Sequence, residues 1–242
     1  MKKKVLCTIC VRKSSKGLKN KNIKKINSTP LLGFTGTFTK KLKYIDECII
    51  STDSLKYQKI AYQYDINSYF LRSKYLSGPL ISDNEVIKHA LESTEKHNKE
   101  KYDIVVYLQP TSPLRKKYDI TKAIKYLIKN NLDSIWSVSQ VDKKFHPLKI
   151  LKKDKNNSFK FYMNKGKNII ARQQLEDVYL RNGVFYIFNA KLFKKNNLLI
   201  GKNNYLYLIK HKTFNIDNLE DFNNFKKYYN DVIKEKNKSN KI

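Results

Sequence analysis

The sequence predicts an α/β fold, a mostly parallel sheet flanked by helices. Two patterns predict it. Short apolar runs of strand length alternate with amphipathic segments along most of the chain. Where those segments are clearest they carry the helical period: Ile120, Ala123, Ile124, Leu127 and Ile128 form one apolar stripe, and Leu219, Phe222, Phe225, Tyr229 and Ile233 form another. The strand candidates, in order, are Val5–Val11, Glu47–Ser51, Ser68–Leu71, Ile104–Leu108, Ser134–Val138, Val184–Phe188 and Thr213–Ile216. Ser82 and Glu85, ahead of Val86, Ile87, Ala90 and Leu91, read as a capping box that opens a helix. Lys143 to about Gln174 breaks the alternation: it is rich in Lys, Asn, Phe and Tyr and weakly periodic. A plain loop of that length is at odds with a compact domain, so it reads as an inserted β-rich lobe. The tail 234–242 reads as a fraying terminus.

The 242 residues suit one domain with that lobe at about 143–181, and 40% hydrophobic content supports a proper core. A formal net charge of +29 raises nucleic acid or an anionic membrane as partners. The lysines are spread along solvated helix faces, however, so neither partner is expected; small anionic substrates gain faster encounter from such a field. Three cysteines make no disulfide framework, which points to a reducing compartment. Cys7 and Cys10 have metal-like spacing, but on a strand residues three apart face opposite ways, so both read as small buried hydrophobes. Lys2–Lys4 before Val5–Val11 imitate a signal peptide, yet the apolar run meets Arg12 with no cleavage site, and nothing reaches the length of a membrane span. The expected location is cytoplasmic.

Lysine is the default cation here, 45 against five arginines, so each arginine marks a place where a planar fork of donors was wanted. All five lie in loop-type motifs, and polar motifs after strands are where open α/β sheets bind ligands. Five such motifs stand out. Arg12 to Asn22 (RKSSKGLKNKN) packs cations, hydroxyls and a glycine together as a polyphosphate would require, without forming a Walker loop or a dinucleotide fingerprint. Ser51–Ser54 (STDS) reads by itself as a strand end with a helix cap. Gln109–Arg115 (QPTSPLR) is a rigid turn presenting Gln109 and Thr111. Arg172-Gln173-Gln174-Leu175 precedes Tyr179 and Asn182-Gly183. Asn215-Ile216-Asp217, followed by Asp221, offers a carboxylate able to hold Mg²⁺ against phosphates; for Asp221 the plainer reading is the first turn of a helix.

Taken together, R-x-S-S-K-G-L-x-x-K-N, IISTDS, LQPTSPLR, RQ-x-L with Y-x-x-N-G and a final ID closely resemble the acylneuraminate cytidylyltransferase family. These are the synthetases of CMP-sialic, CMP-legionaminic and CMP-pseudaminic acids, and the resemblance runs from Val5 to Asp221. It implies a Rossmann-like nucleotidyltransferase fold with an inserted dimerisation lobe. It also implies attack by the anomeric hydroxyl of a nine-carbon sugar acid on the α-phosphorus of CTP, with pyrophosphate leaving. By resemblance Arg12, Lys16 and Lys21 hold the triphosphate, with Ser15, Gly17 and Asn22 assisting. Arg72 and Ser82 meet the cytidine, and Gln109, Arg172, Tyr179 and Asn182 the sugar acid. Asp217 binds Mg²⁺, Arg12, Lys21 and Asp217 carry the catalytic load, and the assembly is a homodimer. Arg115 and Arg181 read as structural ion pairs holding their turns, and no general base stands out.

The chain departs from the family pattern at several points: Ser14 replaces a glycine, Asn215 the first aspartate of D-x-D, Glu176 a proline, and Ser73 and Pro79 the RP and D after Arg72. Two other readings stand beside this one. The first is a cytidylyltransferase for an eight-carbon sugar acid; the second is a basic binding protein on a degenerate scaffold. Among nonulosonic acids the sequence makes no choice, although Tyr179, Phe185 and Tyr186 are candidates to line the sugar pocket.

Overall fold

The computed structural model describes residues 2–14 and 17–239. Among the described residues ten strands and six helices follow in order: β1 (Val5–Cys10), β2 (Lys25–Ile26), β3 (Thr29–Pro30), α1 (Leu31–Thr39), β4 (Glu47–Ser51), α2 (Leu55–Tyr62), α3 (Asp83–Asn98), β5 (Ile104–Tyr107), α4 (Lys117–Lys129), β6 (Ser134–Gln140), β7 (Leu151–Lys153), β8 (Phe159–Phe161), β9 (Tyr179–Asn189), α5 (Ala190–Asn196), β10 (Asn204–Leu208) and α6 (Leu219–Ser239). Six strands form the central sheet in the order β10-β6-β9-β5-β1-β4. β1 lies between β4 and β5, parallel to both, while β9 runs antiparallel to β5.

Alternation along β1 sends its side chains to two cores. Val5, Cys7 and Ile9 meet Ile120, Ala123, Ile124 and Leu127 of α4 together with Leu32 and Ala61 of α1 and α2. On the other face Leu6 joins Ile87, Ala90 and Leu91 of α3 and Phe193 of α5, with Cys10 packed against them. A third cluster docks α6 through Phe222 and Phe225 onto Leu31 and Ile216. The cysteines thus do face opposite ways, though Cys10 is only half-buried. The α4 stripe is buried except at Ile128, its exposed edge, and on α6 Leu219 is likewise exposed. The capping box is present in full, with Ser82 Oγ accepting from Glu85 N and Glu85 reaching back to Ser82 N.

Several expectations are corrected. Ser68–Leu71 is not a strand: the chain makes one parallel bridge, Ile49 to Asn67, and then leaves the sheet. Thr213–Ile216 is not one either; Ile216 N donates to Thr111 O, which docks the segment on the 109–115 turn rather than in a ladder. The edge position beside β6 belongs to β10, whose NYLYL run is not among the strand candidates. The helix α6 runs through Lys234 to Ser239, and residues 240–242 of the expected fraying tail lie outside the described residues.

Two compact units are distinct: Met1–Ser137 with Asn182–Ile242, and Val138–Arg181. The second holds one small antiparallel hairpin, β7–β8, and four short 3-10 turns, so it is turn-rich where a β-rich lobe was expected. Its strands expose their side chains, and among its described residues few are buried, His146, Gly166 and Leu175 among them. Among the described residues no helix is long and apolar enough to cross a membrane.

Candidate active site

The carboxyl ends of β1 and β5 open into a cleft of about 540 Å³ in the first unit. Arg12, Gly17, Lys21 and Asn22 line it from the loop after β1, Gln109, Pro110 and Thr111 from the turn after β5, and Asn215 and Asp217 from the segment before α6. Six of the residues singled out in the sequence (Arg12, Gly17, Lys21, Asn22, Gln109, Asp217) therefore meet in one place. Ser15 and Lys16 lie outside the described residues.

The loop is held from several sides. Lys13 N donates to Asp53 Oδ1 at 2.8 Å, giving the STDS motif its job, while Ser54 caps α2 by accepting from Tyr57 N. Arg12 Nη1 donates to Gly78 O at 3.0 Å. Lys21 Nζ meets Asp217 Oδ1 at 2.9 Å, and Asn215 Nδ2 donates to Asp217 Oδ2 at 2.8 Å. Gly17 packs so closely on the Asp217 carbonyl that a Cβ would collide with backbone, which explains a glycine at that point of the loop. Asp221 accepts from Asp217 N and Asn218 N, so its carboxylate shapes the turn into α6, as the plainer reading of it had it.

Arg72 and Arg115 are buried. Arg72 stands behind the cleft-lining Val11: Nη2 donates to Val11 O at 2.9 Å and Nε to Ser77 Oγ at 3.1 Å, and burial lowers its pKa. Ser82 spends its hydroxyl on the cap of α3. Arg115 donates to Val184 O, Thr35 Oγ1 and Gln109 O. All three acceptors are neutral oxygens, which corrects the expected ion pair: what is needed is a fork reaching three acceptors, not a counter-charge.

Gln109 Nε2 donates to Tyr107 Oη at 3.3 Å. Opposite it, Gly183 has φ +70°, and a Cβ there would lie 2.5 Å from Gln109 Oε1. Asn182 is buried, with Oδ1 accepting from Ser137 Oγ and Val184 N, so its side-chain oxygen holds the turn beside Gly183. Phe185 is core, and Tyr186 is buried against Tyr107 and Trp136. In the second unit Arg172 opens an exposed turn that Gln174 Oε1 closes by accepting from Ile170 N and Ala171 N, while Tyr179 and Arg181 are exposed on β9.

Cys10, read from the sequence as a small buried hydrophobe, lines the cleft with Tyr107 and Asp83, which no motif marked. Burial pushes the Cys10 thiol up to about 12 and the Tyr107 hydroxyl well above its ordinary value, so both stay protonated near neutral pH. Their signal in the sequence was only a place beside the motifs.

The donor set suits a small hard cation. Asp217 offers a carboxylate, held here by Lys21 and the Asn215 amide nitrogen, and no group of three or more His, Cys, Asp or Glu among the described residues could hold a metal by itself. That pattern fits Mg²⁺, which keeps waters and shares its shell with substrate phosphates.

The family model described as Cytidylyltransferase matches residues 6–240. "Post-translational flagellin modification protein B" of Campylobacter coli is 32% identical over 234 residues, covering 96% of each chain. "CMP-N,N'-diacetyllegionaminic acid synthase" of Campylobacter jejuni is 31% identical, covering 90% of this chain and 92% of its own. Among solved structures, a CMP:2-keto-3-deoxy-manno-octonic acid synthetase complexed with CTP superposes with a TM-score of 0.71 at 12% identity, covering 95% of this chain and 99% of its own. A 4-diphosphocytidyl-2C-methyl-D-erythritol synthase from Anaerococcus prevotii gives 0.66 at 16%, covering 94% of this chain and 96% of its own. At those identities the likeness is one of fold. With a cation-rich loop, a metal-type carboxylate and the family match across nearly its whole length, the chain belongs to the cytidylyltransferase family.

Proposed function

We propose that this chain activates a nonulosonic acid of the sialic, legionaminic or pseudaminic type with CTP, giving the CMP-sugar and pyrophosphate. The observation that carries the proposal is the convergence of Arg12, Lys21, Asn22, Gln109 and Asp217 on one cleft at the strand ends. Relatives named for legionaminic, N-acylneuraminic and pseudaminic acids support this substrate class. The eight-carbon alternative rests on a structural likeness at 12% identity, which speaks to fold alone.

The chemistry asks for charge neutralisation and in-line placement more than covalent help. Arg12 and Lys21 take the triphosphate, with Asn22 donating, and draw off charge as the bond to the leaving pyrophosphate lengthens. Asp217 would hold Mg²⁺, which when bound neutralises phosphate charge. Gln109, pinned by Tyr107, orients the sugar acid so that its anomeric oxygen forms the new bond to the α-phosphorus. The fork of Arg172, in the second unit, is of the kind that suits a sugar carboxylate. Arg72 sets the wall on the cytidine side. The site works in the cytoplasm as part of a homodimer, which the second unit's exposed Phe145, Phe159, Tyr162 and Ile170 favour.

The purified chain, given CTP, Mg²⁺ and a panel of nonulosonic acids, should release pyrophosphate with at least one of them; no turnover across the panel overturns the reading. Lys21→Ala should lower kcat/KM by about a hundredfold or more while the fold survives, since charge-stabilising donors of this kind are worth about 10²–10³. Asp217→Asn should abolish Mg²⁺-dependent turnover.

A further inference from the structure

A second cavity, of about 670 Å³, lies in the first unit between α4 and β10, and it shares no lining residue with the catalytic cleft. Tyr126 on the helix and Tyr205 on the strand bring their rings to 4.7 Å between centroids, so the two elements present one exposed aromatic wall. Lys116, Lys122 and Lys210 line the same cavity. Lys122 is steadied over the Tyr118 ring at 5.6 Å, and none of the three lysines pairs with a carboxylate among the described residues. The carboxylate in the lining, Asp119, is engaged elsewhere. Tyr207 Oη donates to its Oδ1 at 3.1 Å, and His211 Nε2 meets its Oδ2 at 3.1 Å, the ring being tied through Nδ1 to Lys212 O at 2.9 Å. Two such bonds leave a carboxylate with about two further acceptor sites.

Each part of this lining excludes a class of ligand. An inorganic anion would leave the ring wall unused, and a neutral sugar would leave the three cations unused. An apolar chain would press hydrocarbon against lysines and a carboxylate, at a cost in desolvation. A molecule that joins a flat ring, a hydroxyl-bearing link and a phosphate uses all three parts. The ring stacks on the tyrosine wall, the hydroxyls donate to the open acceptor sites of Asp119, and the phosphate meets lysine ammonium groups as point charges. The volume falls within the usual range of small-molecule pockets.

We propose that the cavity between α4 and β10 binds a nucleoside phosphate, as a site separate from the catalytic cleft. The base lies on Tyr126 and Tyr205, the ribose meets Asp119, and the phosphate is held by Lys116, Lys122 and Lys210. Nothing in this depends on what the cleft itself binds, because the two sites have no lining residue in common.

The test is calorimetric titration of AMP, CMP, GMP and UMP, with ribose 5-phosphate as the base-free control, into a Lys21→Ala chain whose cleft has lost a phosphate contact. At least one of the four should bind, and more tightly than ribose 5-phosphate. Adding Tyr205→Ala should weaken that binding about 5- to 150-fold, the usual worth of one base stacked on an aromatic ring. Adding Tyr205→Phe instead, which keeps the ring, should leave it near the Lys21→Ala value and so separates stacking from a damaged fold. Equal affinity for ribose 5-phosphate would mean that charge alone attracts the ligand, and would overturn the proposal. So would an affinity indifferent to Tyr205→Ala, an equal loss in Tyr205→Ala and Tyr205→Phe, or no binding of any of the four nucleotides at millimolar concentration.

Discussion

Gln109 is fixed by what surrounds it more than by its own chain. Tyr107 takes one side of its amide, Arg115 holds its backbone carbonyl, and Gly183 leaves room on the other side. A methyl group at Gly183 adds strain twice, from the positive φ and from the 2.5 Å approach to Gln109 Oε1. Gly183→Ala should therefore raise KM for the sugar acid severalfold and leave CTP affinity near wild type, as steady-state kinetics with either substrate varied would show. Equal losses for both substrates would mean that the turn, not Gln109, had been disturbed. At this scale the motifs were legible wherever an unusual residue type stood out. Arg12 stood out as a rare arginine in the loop after β1 and Asp217 as a carboxylate in a polar motif, while Lys21, one lysine among 45, was marked by the family resemblance. Asp83 and Tyr107 did not stand out, because a first-turn aspartate and a strand tyrosine have ordinary reasons to be there.

Helix α3 joins local rules to the site. Its capping box was readable from spacing, and its first residue faces the cleft. Ser82→Ala should cost about 1 kcal/mol in urea unfolding, the usual worth of such a cap. If the hydroxyl only caps, KM for CTP stays put; a large rise restores Ser82 as a nucleotide contact. Farther along, buried Glu95 links α3 to α5. Burial by itself raises its carboxyl, but hydrogen bonds from Lys194, Lys101 and Tyr102 N outweigh that and hold it below its ordinary 4.5. A depressed folded value means stabilisation present above about pH 4.5 and lost as pH falls through the folded value. Unfolding of wild type and Glu95→Gln should accordingly differ most near neutral pH and converge only as pH falls through the depressed folded value. Elements with a full period were legible in this way; α4 and the strands β1, β4 and β5 fell where apolar patterning put them. Thr213–Ile216 was misread because an apolar extended run looks alike whether it pairs in a ladder or docks on a turn. The lobe resisted because it has too little apolar content to show a period.

Over the whole molecule, a net charge of +29 surrounds a cleft built for a polyanion. Association of CTP should be fast at low salt and slow as ionic strength rises past about 0.1 M, where the screening length falls to about 10 Å. Stopped-flow rates at increasing NaCl would show it, and a flat dependence would mean that only the residues of the cleft matter.

The strand β10 closes one border of the six-stranded sheet. Tyr205, Leu206 and Leu208 on it are all exposed, an open invitation to intermolecular pairing. Lys202 and Lys210 bracket it as gatekeepers, so a neighbouring chain that approaches this border meets repulsion before it can add a strand. The same lysines that speed the encounter with an anionic nucleotide thus also guard an exposed sheet edge against pairing with a neighbouring chain.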